Sequence, residues 1–116
     1  MADHVNYIDW RTHPFRSDRW LEIYRPALDR ALAFGATSAY LTRNHEDPLH
    51  FRQVTHWTSR EDFERYWASD EITALREEAL NYYNKPVLPV WHTIAADAGR
   101  EGPADAPEPE AAEAPS

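Results

Sequence analysis

The chain has 116 residues, no cysteine and a formal net charge of −8. That length suits one domain, and the missing thiols exclude disulfides, thiolate metal sites and cysteine nucleophiles while fitting a reducing cytoplasm. The acidic balance excludes a basic phosphate-binding face, so neither nucleic acid nor an anionic membrane is an expected partner.

No apolar run approaches the ~20 residues of a membrane span. The start, MADHVNYIDW, lacks the basic and apolar segments of a signal peptide. Five Trp, six Tyr and four Phe supply much of a modest core.

Residues 5–11, VNYIDWR, alternate as a strand, with Asn6, Ile8 and Trp10 on one face. Thr12-His13-Pro14 ends it. Ser17 or Asp18 is the expected cap of a helix that runs to about Phe34. Its apolar stripe is Trp20, Tyr24, Ala27, Leu28, Ala31 and Leu32. Pro26 removes a backbone donor inside this pattern, so a kink or two pieces meeting at Arg25 is expected. Gly35 closes the helix.

Residues 36–43, ATSAYLTR, read as the second strand, and Asn44 to Pro48 as a polar turn. The stretch HFRQVTHW at 50–57 is its antiparallel partner. The chain then runs straight into a helix that opens at Ser59, with Asp62 placed as in a capping box. Phe63 and Trp67 share one face of this helix. Arg60, Glu61, Asp62, Glu64 and Arg65 read as its solvated face. Ser69-Asp70-Glu71 starts a second helical piece that buries Ile72, Leu75, Ala79 and Tyr82 or Tyr83. Asn84-Lys85-Pro86 stops it. Residues 87–95, VLPVWHTIA, are the last strand, and Pro89 places it at an edge or a bulge.

Residues 98–116 hold five acids, one base and four of the nine prolines. This Ala/Pro/Glu tail is expected to be disordered, which leaves 1–97 as the domain. The order β-α-β-β-α-β predicts an α+β, ferredoxin-like fold: a four-stranded antiparallel sheet with both helical segments on one face. The other face also carries apolar and aromatic residues, so a second copy is its expected cover and a homodimer is predicted.

The run VTHWTSREDFERYWASD at 54–70 resembles the antibiotic biosynthesis monooxygenase-like family, whose members form dimeric α/β barrels. The resemblance covers roughly residues 5–95. It implies a cofactor-independent oxidation of an aromatic or quinone-like hydrophobic molecule, and no cofactor. Residue by residue, Trp57 matches the Trp of the family's polyketide oxidases and Arg76 matches their Arg. Gln53 stands where they have Asn and keeps the amide. Phe63 takes the place of their phenol, and Thr42 falls near their His. The family's haem-degrading branch needs a Trp and an axial His where this chain has Tyr66 and Arg76, so that mode lacks its iron ligand.

Trp57, Gln53 and Arg76 are therefore the expected catalytic set. Tyr40, Phe63, Tyr66, Trp67, Trp91, His56 and His92 are the expected substrate-binding residues. Alternation divides them: Gln53 and Trp57 face one way, while His50 and His56 face the other. The aromatic positions also suit plain helix faces packed on a sheet. The six His include no H-x-x-x-H or H-x-H pair, so no metal site is expected. Competing readings of the same pocket are a non-catalytic binding or interaction module and a polyketide cyclase or isomerase.

Overall fold

The computed structural model describes residues 4–98. From residue 99 onward, the expected tail lies outside the described residues. Four strands form one antiparallel sheet: β1 (His4–Arg11), β2 (Ala36–Arg43), β3 (His50–Trp57) and β4 (Val90–Thr93). Their order is β2-β3-β1-β4, the ferredoxin-like arrangement. Four helices join them: α1 (Ser17–Tyr24), α2 (Pro26–Ala33), α3 (Arg60–Ala68) and α4 (Asp70–Glu78). A 3₁₀ turn at Leu80–Tyr82 follows α4.

The register explains which side of the sheet is buried. Ile8 pairs with Gln53, Trp10 with Phe51 and Asn6 with Thr55. These residues share one face, and all six are buried under the helices. Trp10 and Trp20 meet at 5.3 Å, and Tyr24 stacks on Trp20 at 5.2 Å. A second aromatic group forms where β3 enters α3: Trp57, Phe63, Tyr66, Trp67 and Trp91 lie in successive ring contacts of 5.3–6.5 Å. Full burial of each such side chain stabilises the fold by about 1.5–3 kcal/mol.

Helix breaks fall where the residues demand them. Pro26 opens α2 at its first turn, where no donor is needed, and Arg25 joins the two pieces in helical conformation. The buried stripe runs through this join in one helical period, at Trp20, Ile23, Tyr24, Ala27 and Ala31, and differs from the expected one. Ile23 is buried and Leu32 is largely exposed, so Ala27 and Ala31 alone carry the fully buried face of α2. The expected cap at Ser17 or Asp18 is corrected: the cap position is Arg16, and no side chain caps it. Both residues are drawn instead to Arg43 of β2, whose guanidinium donates to the Ser17 hydroxyl at 2.8 Å and to Asp18 at 3.3 Å. Gly35 follows α2 with φ +117°, a conformation that L side chains rarely adopt.

Ser59 caps α3 by accepting from the Glu61 amide, and Ser69 caps α4 by accepting from the Ile72 amide. The expected capping-box partner Asp62 turns to Arg65 at 2.6 Å. Within the expected solvated face, Asp62 is half-buried, and Arg60 lies over the Trp91 ring. The last strand is shorter than its expected 87–95. Pro86 and Pro89 cannot donate to a ladder, and Thr93 pairs with His4, the first described residue of β1. Its place at the sheet edge agrees with Pro89.

Candidate functional site

The alternation of β3 places Gln53 and Trp57 under the helices, and both are fully buried. Gln53 joins the two aromatic groups. Its Oε1 accepts from Trp10 Nε1 at 3.1 Å and from the Tyr24 hydroxyl at 2.8 Å. Its Nε2 donates to the Tyr66 hydroxyl at 3.1 Å, which in turn donates to the Ala27 carbonyl at 3.0 Å. A buried amide in a network this complete holds its neighbours in one arrangement.

Arg76 of α4 lies beside this network. Its guanidinium carbon sits 4.1 Å from the centre of the Trp67 ring, and Nη2 donates to the Trp67 carbonyl at 3.0 Å. Its charge also reaches the phenols. Burial, and then the neighbouring Tyr66 phenol, push the Tyr24 hydroxyl well above its ordinary pKa of 10, while Arg76 and the Gln53 hydrogen bond pull the other way. Burial raises Tyr66 and Tyr83 as well, again against Arg76.

Next to the network, polar atoms stand without partners. Asn6 is fully buried, yet neither its Oδ1 nor its Nδ2 finds a hydrogen-bond partner among the described residues. The same holds for the Thr55 hydroxyl and the Trp57 indole N–H. Asn6 and Thr55 are cross-strand neighbours, and Trp57 follows Thr55 on the same face. Trp91 faces Asn6 from β4. Phe63 closes the group from α3, meeting Trp57 at 5.7 Å and Trp91 at 5.3 Å. Each buried polar group left unpaired costs about 1–3 kcal/mol, so four such atoms on three neighbouring residues beside the Trp57, Phe63 and Trp91 rings need an explanation.

The sheet separates the expected residues into two sets. Trp57, Gln53, Phe63, Tyr66, Trp67, Trp91 and Arg76 gather on the helix side. Tyr40, His56 and His92 lie on the open side, where Tyr40 approaches His56 at 6.3 Å and His92 meets Tyr7 at 4.9 Å. The sheet therefore lies between these three and Trp57. Thr42 is also on the open side, beside Asn44, His50 and Arg52 in a shallow depression of about 220 Å³. Near it Asp9 accepts from Arg52 at 2.9 Å and pairs with His50 at 2.9 Å. Partial burial alone raises the Asp9 pKa, but these two partners outweigh it and hold the carboxyl below its usual range. A larger depression of about 400 Å³ runs along the outer side of α1 and has no second element as a wall.

Three features escaped the sequence reading. Asn6 shares parity with Ile8 and Trp10, so alternation alone marks it as an amide at a core position. Tyr66, expected as a substrate-binding residue, and Tyr24, expected only in the stripe of the first helix, meet through their hydroxyls at Gln53. His4 precedes the expected start of the first strand, yet it faces the helices and meets Trp91 edge-on at 6.2 Å.

No protein-family model and no curated protein match the chain. Solved structures do match it. One from Nitrosomonas europaea, named as an antibiotic biosynthesis monooxygenase, superposes with a TM-score of 0.74 over 84% of this chain and 94% of its own, at 13% identity. The fold is that of the antibiotic biosynthesis monooxygenases. A second structure of that name gives 0.68 over 84% and 99% at 18% identity. A third, from Bacteroides thetaiotaomicron, gives 0.63 over 90% and 96% at 13% identity. At such identities the likeness carries architecture, and any chemistry must come from the residues of this chain. No helix among the described residues is long and apolar enough to cross a membrane.

Proposed function

We propose that this protein binds a flat aromatic molecule of the hydroquinone or anthrone class between sheet and helices and oxidises it with molecular oxygen, without a cofactor, in the cytoplasm. The observation that carries this reading is the set of unpartnered polar atoms on Asn6, Thr55 and Trp57 inside an aromatic enclosure. Those atoms offer the Asn6 and Trp57 N–H groups as donors, the Asn6 oxygen as an acceptor and the Thr55 hydroxyl as either, to the oxygen substituents of such a molecule. The rings of Phe63, Trp67 and Trp91 match its faces.

The reaction balances without an external reductant. In an anthrone a ring methylene becomes a carbonyl, one atom of O₂ enters the product, and the other leaves as water with both methylene hydrogens; a hydroquinone instead passes two electrons and two protons to O₂, giving the quinone and hydrogen peroxide. The substrate must first lose a proton, because its anion gives an electron to oxygen far more readily. The Trp57 N–H and the Asn6 amide N–H stabilise the negative oxygen so formed. Gln53, Tyr24 and Tyr66 fix the floor on which that oxygen rests, and Arg76 supplies positive charge behind it.

The active unit is a homodimer that covers the open sheet face. Val90 and Tyr40 are 50% and 45% exposed there, beside Tyr7, His56 and His92. A row of such residues on one sheet face favours a partner, and a second copy supplies the same row.

Oxygen uptake with anthrone or 2-methyl-1,4-naphthohydroquinone tests the reading. Trp57→Phe and Arg76→Ala should each slow uptake at least tenfold. Unchanged turnover in both variants would remove the site assignment. Binding of the substrates without oxygen uptake would leave a non-catalytic binding module of the same fold.

A further inference from the structure

A cofactor-free oxidation needs a base at the substrate, and the histidines on the open face are cut off from Trp57 by the sheet. We infer that His4 is that base, a proposal that rests on the reading of the site given above. His4 pairs with Trp57 across β1 and β3, and with Thr93 across β1 and β4. It shares the helix-facing parity of Asn6, Ile8 and Trp10, and its ring meets Trp91 edge-on at 6.2 Å. The ring is half-buried and has no hydrogen-bonded partner among the described residues. Among the described residues, then, neither ring nitrogen is engaged.

His4 and Asn6 stand two positions apart on one strand, so their side chains leave the same side of the sheet with backbones about 7 Å apart. A carbonyl held by Asn6 and Trp57 then places the methylene opposite it toward the imidazole. The neutral ring takes a methylene proton, the C–H electron pair moves into the ring system, and the carbonyl oxygen becomes the anion held by the two N–H groups. The imidazolium gives up its proton as the oxygenated intermediate loses water. Imidazole is the side chain that ordinarily changes charge in this pH range. On the helix side, the Arg60 guanidinium of α3 lies 5.0 Å from the centre of the Trp91 ring.

Anaerobic mixing with anthrone separates proton transfer from oxygen chemistry. Bound anthrone quenches tryptophan fluorescence, and its anion adds a visible absorption band. At pH 7.5 the wild type should bind anthrone and ionise it. His4→Ala should bind it with similar affinity and leave it neutral, and imidazole in the buffer should restore part of the band. In air, turnover of His4→Ala should fall about 10²–10⁴-fold. Equal ionisation in wild type and His4→Ala overturns the assignment, as does anthrone bound neutral in the wild type. An absence of quenching overturns the site itself, and the base with it. Ionised anthrone that takes up no oxygen supports His4 and retires only the oxidation.

Discussion

The side-chain nitrogen of Gln53 donates to the Tyr66 hydroxyl at 3.1 Å, and this bond ties the centre of β3 to α3. Because Trp10 and Tyr24 donate to the oxygen of the same amide, one side chain organises two aromatic groups. Gln53→Leu would leave the Trp10 N–H and the Tyr24 hydroxyl buried without their acceptor. At about 1–3 kcal/mol for each group so stranded, the variant should lose several kcal/mol in urea denaturation. A loss under 1 kcal/mol would mean that the helices readjust around the gap.

The tyrosines of this network set a limit at high pH. Burial raises Tyr24 well above 10 and also raises Tyr66 and Tyr83. Below pH 10 the phenols are neutral in folded and unfolded chains alike, and their stabilising contribution is fully present. Above it the unfolded chain releases protons that the folded chain retains, so stability falls as pH rises from 10 toward the folded values. Denaturant midpoints measured from pH 8 to 11 should be level and then drop. Tyr24→Phe should make the drop shallower.

Gly35 should resist substitution. Its φ is +117°, and a Cβ there would stand 2.9 Å from the Asp62 carboxylate of α3. Gly35→Ala should therefore cost more than the ~1 kcal/mol of a positive φ alone. Gly35→Ala combined with Asp62→Ala should recover the steric part. Thermal denaturation of the single and double variants separates the two contributions.

The proposed dimer should break without any change at the proposed oxidation site. Tyr40→Glu places a charge on the open face, on the edge strand β2 and on the far side of the sheet from Trp57. Light scattering after gel filtration should report a monomer with unchanged far-UV circular dichroism. If the mass stays that of a dimer, the copies meet elsewhere.

The fold was legible because strands and helices impose different periods on the sequence. The parity of Ile8, Trp10, Gln53 and Trp57 names the buried face before any coordinate is known. The break at Pro26 and the cap at Ser69 are likewise local events written in single residues. What stayed hidden depends on how separate elements approach one another. Arg43 of β2 takes Ser17 and Asp18 from their helix end, and nothing within residues 16–20 announces it. The convergence of Tyr24, Tyr66 and Gln53 needs the packing angles of two helices on the sheet. Ile23 is buried and Leu32 exposed because one helical period runs through Arg25: Trp20, Ile23, Tyr24, Ala27 and Ala31 share a face that Leu32 misses.

Asn6 makes the fold and its proposed use compete. A buried amide with neither atom satisfied is a burden that leucine, bulkier but branched at the same carbon, would lift. Asn6→Leu should melt at a higher temperature than the wild type while losing its hold on anthrone. A chain improved by consensus or by computational stabilisation would accept that change readily and emerge sturdier and inert. Position 6 is therefore one to leave alone in any effort to make this protein robust, and the first to change if an empty scaffold is wanted.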